Sequence, residues 1–499
     1  MNWIPLFVII PLGMAFIMPI ISKLWKGLPD LAGNVVTAFL AGLSLWAIQF
    51  SSQTFTYYAG GWTPVDGVPI GIAMVFDGLT LIMLLIINIV AICATLYSVN
   101  YMKLYTEKGK YYTLFLLMVA GLNGVVLSGD LFNLFVFLEI SAIASYALVA
   151  FGIESEELEA SFKYQILGGT GSMLILLSIA IFYYLTGTLN LADASNILQS
   201  HVSHPAFYFC VVLLLVGFGL KAALMPFHSW LPDAHPSAPA PISAMLSGVV
   251  IKVLGVYAMI RIFFNVFGLS TNQFFMNILL TLGLLSMVAG AFLALGQEDL
   301  KRLLAYSSIS QIGYIVFALG LGTNLGTLGA IFHMMNHAAS KSLLFLNSGA
   351  VVYRTGSRHM PDLGGLSGPM PVTSATSLIG SFSISGLPPM GGFWSKLVII
   401  WAAIESGHLI LAIIAVLASI VTLAYYLKAQ KLTFRGVLKD AYANLKEAPL
   451  LMSFTMVVMA IVALFLGLLL IPALKGIILD PAVAAIQGGL NYASLVLGG

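Results

Sequence analysis

The sequence predicts an all-α integral membrane protein with about 14 transmembrane helices, and three observations predict it. Of 499 residues, 60% are hydrophobic and only 8% are charged, against about a quarter charged in soluble domains. Apolar runs of roughly 20 residues, each enough to cross a hydrocarbon core, recur along the whole chain. Basic residues collect in every second loop, the signature of alternating sidedness.

The runs lie at about 4–22, 33–50, 77–98, 112–128, 131–151, 164–187, 207–225, 240–261, 274–295, 303–322, 325–351, 372–398, 409–427 and 450–472. The first opens Met1-Asn2-Trp3-Ile4-Pro5, without the cationic stretch of a signal peptide, and reads as a retained helix. The stretch after Leu474 carries Lys475, Asp480 and Pro481 and reads as an interfacial tail. Loops after odd-numbered runs hold fifteen of the 21 Lys and Arg residues, and the other side holds Arg261 and Lys475. That bias predicts both termini outside the cytoplasm.

Two runs are interrupted by proline. The seventh leads into Lys221–Pro241, with Pro226, Pro232, Pro236 and Pro239, and the twelfth contains Pro388 and Pro389 between Ser385 and Lys396. Proline removes a backbone donor, and in lipid the freed carbonyls need side chains, water or a neighbouring helix. Breaks five helices apart predict two inverted five-helix repeats, helices 4–8 and 9–13, and mark an ion path. The expected divisions are 1–110 for helices 1–3, 111–265 for the first repeat, 266–432 for the second, and 433–499 for the last helix and tail. Simple kinks are the alternative for either break alone.

Five charges lie inside the runs: Glu139, Lys221, Lys252, Lys341 and Lys396. Each costs about 2.5–3.5 kcal/mol at the bilayer centre, so they must pair, meet water or exchange protons. Glu139 is too short to snorkel and reads as the partner of a nearby lysine. Lys221 and Lys396 flank the two breaks, where snorkelling is the plainer alternative. Lys252 is mid-span, with capping of freed carbonyls as its structural alternative. His333, His337 and Lys341 follow i, i+4, i+8 spacing and share one helix face, with Asn336 and Ser340 beside them. That line reads as a hydrated proton wire. As a zinc site it lacks the glutamate of a metalloprotease helix and a third ligand, so no metal is expected.

His228, Asp233 and His235 follow the first break, either as a proton uptake point or as solvated loop residues. Asp77 and Asp130 sit at span starts and read as helix caps. Glu154, Glu156, Glu157 and Glu159 form an acidic loop. The glycines at 167–171 lie within an apolar run and predict close helix packing rather than phosphate binding. Cys93 and Cys210 stand alone, no nucleotide motif occurs, and no cofactor is expected.

The stretch from Leu220 to Arg261 and the segment His333-Met334-Met335-Asn336-His337-Ala338-Ala339-Ser340-Lys341-Ser342-Leu343 resemble the antiporter-like subunits shared by respiratory complex I, membrane-bound hydrogenases and Mrp-type Na⁺/H⁺ antiporters. The resemblance covers essentially the whole chain. It is nearest to the D-type subunits of Mrp antiporters, since no long lateral helix follows the last span. It implies a fourteen-helix subunit with a central hydrophilic axis. Glu139 and Lys221 would form the coupling pair and Lys252 the bridge, with His333, His337 and Lys341 as central relay and Lys396 as terminal lysine. Some complex I relatives carry glutamate at this last position. It also implies other membrane subunits as partners, protons and Na⁺ as cargo, and the plasma membrane of a prokaryote. A redox-driven complex is the alternative setting for the same module. A self-sufficient solute carrier and an inert scaffold are weaker readings.

Overall fold

The computed structural model describes residues 2–65 and 68–497, with the side chain of Leu490 not described. A helix, whole or interrupted, occupies each apolar run. They are α1 Leu6–Ile21, α2 Leu28–Trp46, α3 Gly78–Tyr101, α4 Lys108–Leu127, α5 Leu131–Val149 and α6 Ser155–Thr186. After the short α7 (Leu191–Leu198) come α8 Pro205–Lys221, α9 Leu231–Ser237 and a long helix, α10, over Ala240–Val266. The chain continues with α11 Gln273–Leu295, α12 Leu300–Gly320, α13 Asn324–Thr355, α14 Pro371–Ser385, α15 Gly391–Glu405 and α16 Leu409–Thr433. It ends with α17 Leu450–Phe465, α18 Pro472–Gln487 and α19 Tyr492–Leu497. Ten helices of the described residues are long and apolar enough to cross a membrane. The protein is a helical membrane protein. One departure from an all-helical chain is a hairpin, β1 Phe55–Tyr58 antiparallel to β2 Ala73–Phe76, with Phe55 opposite Phe76.

The caps are those expected. Asp77 accepts from the Thr80 amide at 2.9 Å to start α3, and Asp130 accepts from Asn133 at 2.8 Å to start α5. Glu154 and Glu157 form a reciprocal capping box on α6. The glycine cluster at 167–171 serves packing: a Cβ on Gly171 would sit 3.1 Å from the Gly217 carbonyl of α8.

Both breaks are satisfied from outside the chain's own ladder. After Lys221, Trp230 Nε1 donates to the Leu220 carbonyl at 2.9 Å, and the Met225 amide donates to Ser286 Oγ at 3.0 Å. Beyond α9, Lys301 donates to the carbonyls of Pro236 and Ala238 at 3.3 and 2.7 Å. At the second break α14 ends on Gly386 with φ +84°, and Ser419 donates to the Ser385 carbonyl at 2.8 Å. These are the substitute partners that a helix interrupted in lipid requires.

Two basic residues assigned to loops are in fact buried. Lys301 is 3% exposed because the break needs its ammonium. Arg261 is 1% exposed and makes two contacts to Asp77, Nη1 to Oδ2 at 2.8 Å and Nη2 to Oδ1 at 2.9 Å. The tail after Leu474 is helical, and it closes on the body: a Cβ on Gly78 would meet the Pro481 carbonyl carbon at 2.4 Å.

Candidate functional site

The first cluster joins α5, α6 and α8. Lys221 is 4% exposed and does not snorkel. Its Nζ donates to Ser172 Oγ at 2.8 Å and Tyr146 OH at 3.2 Å, and lies 3.5 Å from Glu139 Oε1. Ser172 in turn donates to Glu139 through a short contact. The serine therefore stands between carboxylate and ammonium, able to hand a proton between them by rotating its hydroxyl. Tyr146 follows Glu139 by two helical turns and so shares its face. Glu139 itself lies at the surface of the helix bundle rather than in its interior. Its side chain is 26% exposed, on a face of α5 where Phe132, Val136 and Ile143 are also exposed.

Lys252 is fully buried in a helix with π-helical turns at Leu246–Val250 and Lys252–Tyr257. Its Nζ donates to the carbonyls of Ser247 and Gly248 at 2.6 and 2.9 Å, the carbonyl-capping geometry of the plainer reading. Two glycines fix its neighbours. A Cβ on Gly248 would lie 2.0 Å from Ser342 Oγ of α13, and one on Gly255 would lie 2.4 Å from Ala222 Cβ at the first break. Lys252 thus sits between the two points where α10 is pressed onto α13 and onto the end of α8.

The central helix α13 carries the third group. His333 Nδ1 pairs with Ser395 Oγ at 2.9 Å and Nε2 with Gln311 Oε1 at 3.1 Å. The His337 ring lies 6.5 Å from that of His333, and both its nitrogens are buried without a protein partner among the described residues. Lys341 Nζ donates to the Leu304 carbonyl and to Tyr426 OH, both at 2.9 Å. Asn336 Oδ1 accepts from Ser383 Oγ at 2.9 Å, and Ser340 donates to the same hydroxyl.

Lys396 is 2% exposed, its Nζ donating to Ser419 Oγ at 3.1 Å and lying 4.6 Å from the Tyr314 ring centroid. Tyr314 also lies against His333, ring to ring at 5.7 Å. The polar groups form separate clusters around Lys221, Lys252, Lys341 and Lys396 rather than one unbroken hydrogen-bond chain.

Several participants carry no signal in the sequence. Ser172, Tyr146, Gln311, Ser395 and Tyr426 are ordinary residues of apolar helices until tertiary packing pairs them. His235 is fully buried, not solvated, with its ring stacked 4.5 Å from Phe345 and both nitrogens unpartnered among the described residues. Asp233 remains at the surface, paired with Lys163 at 3.1 Å and Arg302 at 3.5 Å. The acidic loop is partly tied down, with Glu156 paired to Arg358.

Comparison with known proteins gives the family of the chain. Residues 128–422 match the family described as NADH:quinone oxidoreductase/Mrp antiporter, TM, and residues 62–112 match NADH-Ubiquinone oxidoreductase (complex I), chain 5 N-terminus. The chain is 36% identical over 431 residues to NADH-quinone oxidoreductase subunit N of Desulforudis audaxviator, covering 85% of this chain and 84% of that one. It is 34% identical over 420 residues to the D-type subunit of the Na(+)/H(+) antiporter of Alkalihalophilus pseudofirmus, covering 84% of each. A chain of the Mrp complex from Dietzia superposes with a TM-score of 0.91 over 99% of both chains, at 26% identity.

Proposed function

Because this chain belongs to the NADH:quinone oxidoreductase/Mrp antiporter membrane family, we propose that it is the proton-translocating, antiporter-like subunit of a multisubunit cation/proton antiporter. The observation that carries this reading is the Lys221–Ser172–Glu139 cluster beside the first break. An ammonium and a carboxylate bridged by a hydroxyl, inside a membrane helix bundle, hold one exchangeable proton between them. The proposed route starts at that pair and continues through Lys252. It then passes the relay of His333, His337 and Lys341 and leaves by Lys396. Water occupies the intervals. The two breaks, each beside a buried lysine, support two inverted repeats over helices 4–8 and 9–13 within fourteen spans. The basic loops support an orientation with both termini outside, and the bacterial relatives support a prokaryotic plasma membrane. Its partners are other membrane subunits, and Na⁺ is the exchanged cation.

A second reading places the same module in a redox-driven complex, favoured by the NADH-quinone oxidoreductase relative. Native purification of the tagged chain in mild detergent, with mass spectrometry of what accompanies it, separates the two. The antiporter reading expects small hydrophobic partners without redox proteins. Co-purifying iron–sulfur or nickel–iron proteins would establish the second reading. Recovery of the chain alone, still active in liposomes, would contradict both.

A further inference from the structure

Beside Tyr426, which accepts from Lys341, lies a small cavity that the proposed route does not use. It is lined by Asn347 and Ser348 of α13, Ser377 and Ser381 of α14, and Tyr426 and Gln430 of α16, with apolar side chains completing the wall. About 10 Å³ is open to the centre of a water-sized sphere, which is room for one water.

The donors around it define what fits. Asn347 Oδ1 already accepts from Thr376 Oγ1 at 3.0 Å, whereas its Nδ2 is buried without a partner among the described residues. Gln430 Nε2 donates to Ser377 Oγ at 2.8 Å and to Ser381 Oγ at 2.9 Å. Both serines therefore keep their own hydroxyl hydrogen to give away. A cation would need converging lone pairs, and here an amide N–H and hydroxyl hydrogens converge. A water oxygen accepts two of them.

The cavity also connects two polar systems. Tyr426, one of its walls, accepts from Lys341 at 2.9 Å. On α14, Thr373, Thr376, Ser377 and Ser381 recur at helical spacing along one face over about 12 Å of rise. At the far end Thr373 donates to Glu447 Oε1 at 2.6 Å. We propose that the cavity holds one ordered water that relays protons between Tyr426–Lys341 and this hydroxyl stripe, giving Lys341 a second branch toward Glu447. This rests on Lys341 being a proton carrier.

The test uses the assembled complex in two ways. A structure of the wild-type complex at a resolution that shows other buried waters should show one within hydrogen-bond distance of Asn347. In proteoliposomes, Ser381→Ala, which keeps the room but removes one hydroxyl of the stripe, should slow proton flux by a smaller factor than Ser381→Val. Ser381→Val, which fills it, should slow flux by about fivefold or more, the loss of one hydrogen-bonded link. An empty cavity, density that tracks the Na⁺ concentration, or wild-type flux in Ser381→Val would each overturn the proposal. Should Ser381→Val fail to assemble, Asn347→Leu replaces it under the same criteria. A wild-type complex that moves no protons contradicts the functional reading, while a water in the map still supports the site.

Discussion

At Lys221 the cost of burying a charge is offset locally, because its ammonium meets the Glu139 carboxylate largely through a serine. Ser172→Ala should therefore reduce proton flux by roughly five- to tenfold, the worth of one hydrogen bond, with assembly unchanged. Wild-type flux in that variant would remove the bridging role. Glu139→Gln keeps shape and loses the exchangeable proton, and flux should fall to background while the complex still assembles. Unaltered flux would dissolve the pair. The five charged positions are legible in the sequence because a charge in an apolar run is visible without any structure. Their partners are not, since a serine such as Ser172 or a tyrosine such as Tyr426 is common in spans and gains meaning only when packing brings it to an amine. His235 and Lys301 differ from expectation for a related reason. Proximity to a loop suggests exposure, whereas backbone carbonyls freed by the break draw Lys301 inward.

The decisive elements are the interrupted helices and α10. Proline marks both breaks in the sequence, yet the π-helical turns of α10 have no sequence mark, and they set the carbonyls that hold Lys252. Gly255→Ala should destabilise the subunit by about 1–3 kcal/mol, as overpacking does, because its Cβ would also meet the Ala222 Cα at 2.5 Å, where no rotamer gives way. An unchanged melting temperature in detergent would show that α10 and the break are not in close contact. The β1–β2 hairpin is invisible in the sequence because two four-residue strands are shorter than any reliable alternation. In the loop before α14, His359 hydrogen-bonds Asp362 at 3.0 Å and Glu298 at 3.3 Å, and these carboxylates raise its pKa above the usual 6.5. A raised folded-state value means that its stabilisation is present below the unfolded pKa and fades as pH rises through the folded one. His359→Gln should therefore remove a small, salt-sensitive gain in thermal stability seen on lowering pH from about 8 to 6. Identical pH profiles for variant and wild type would contradict this.

Across the whole molecule, Asp77 and Arg261 join the start of α3 to the end of α10, and Arg261 also lies 5.2 Å from the Tyr492 ring centroid of α19. Asp77→Asn leaves a buried guanidinium underpaired and should cost about 3–5 kcal/mol, read as a lowered melting temperature. A melting temperature equal to wild type would show that this pair does not hold the tail. The sequence does not reveal it, because Asp77 looks like a cap and Arg261 like a loop charge, and the cap is real as well. The proposed proton path is a property of the molecule as a unit, since its groups come from α5, α6, α8, α10, α13 and α15. The most direct test of that claim is proton flux through the assembled complex, reconstituted with Lys221→Ala and a full complement of subunits. The account predicts no flux above that of empty liposomes. Flux at the wild-type rate would contradict it.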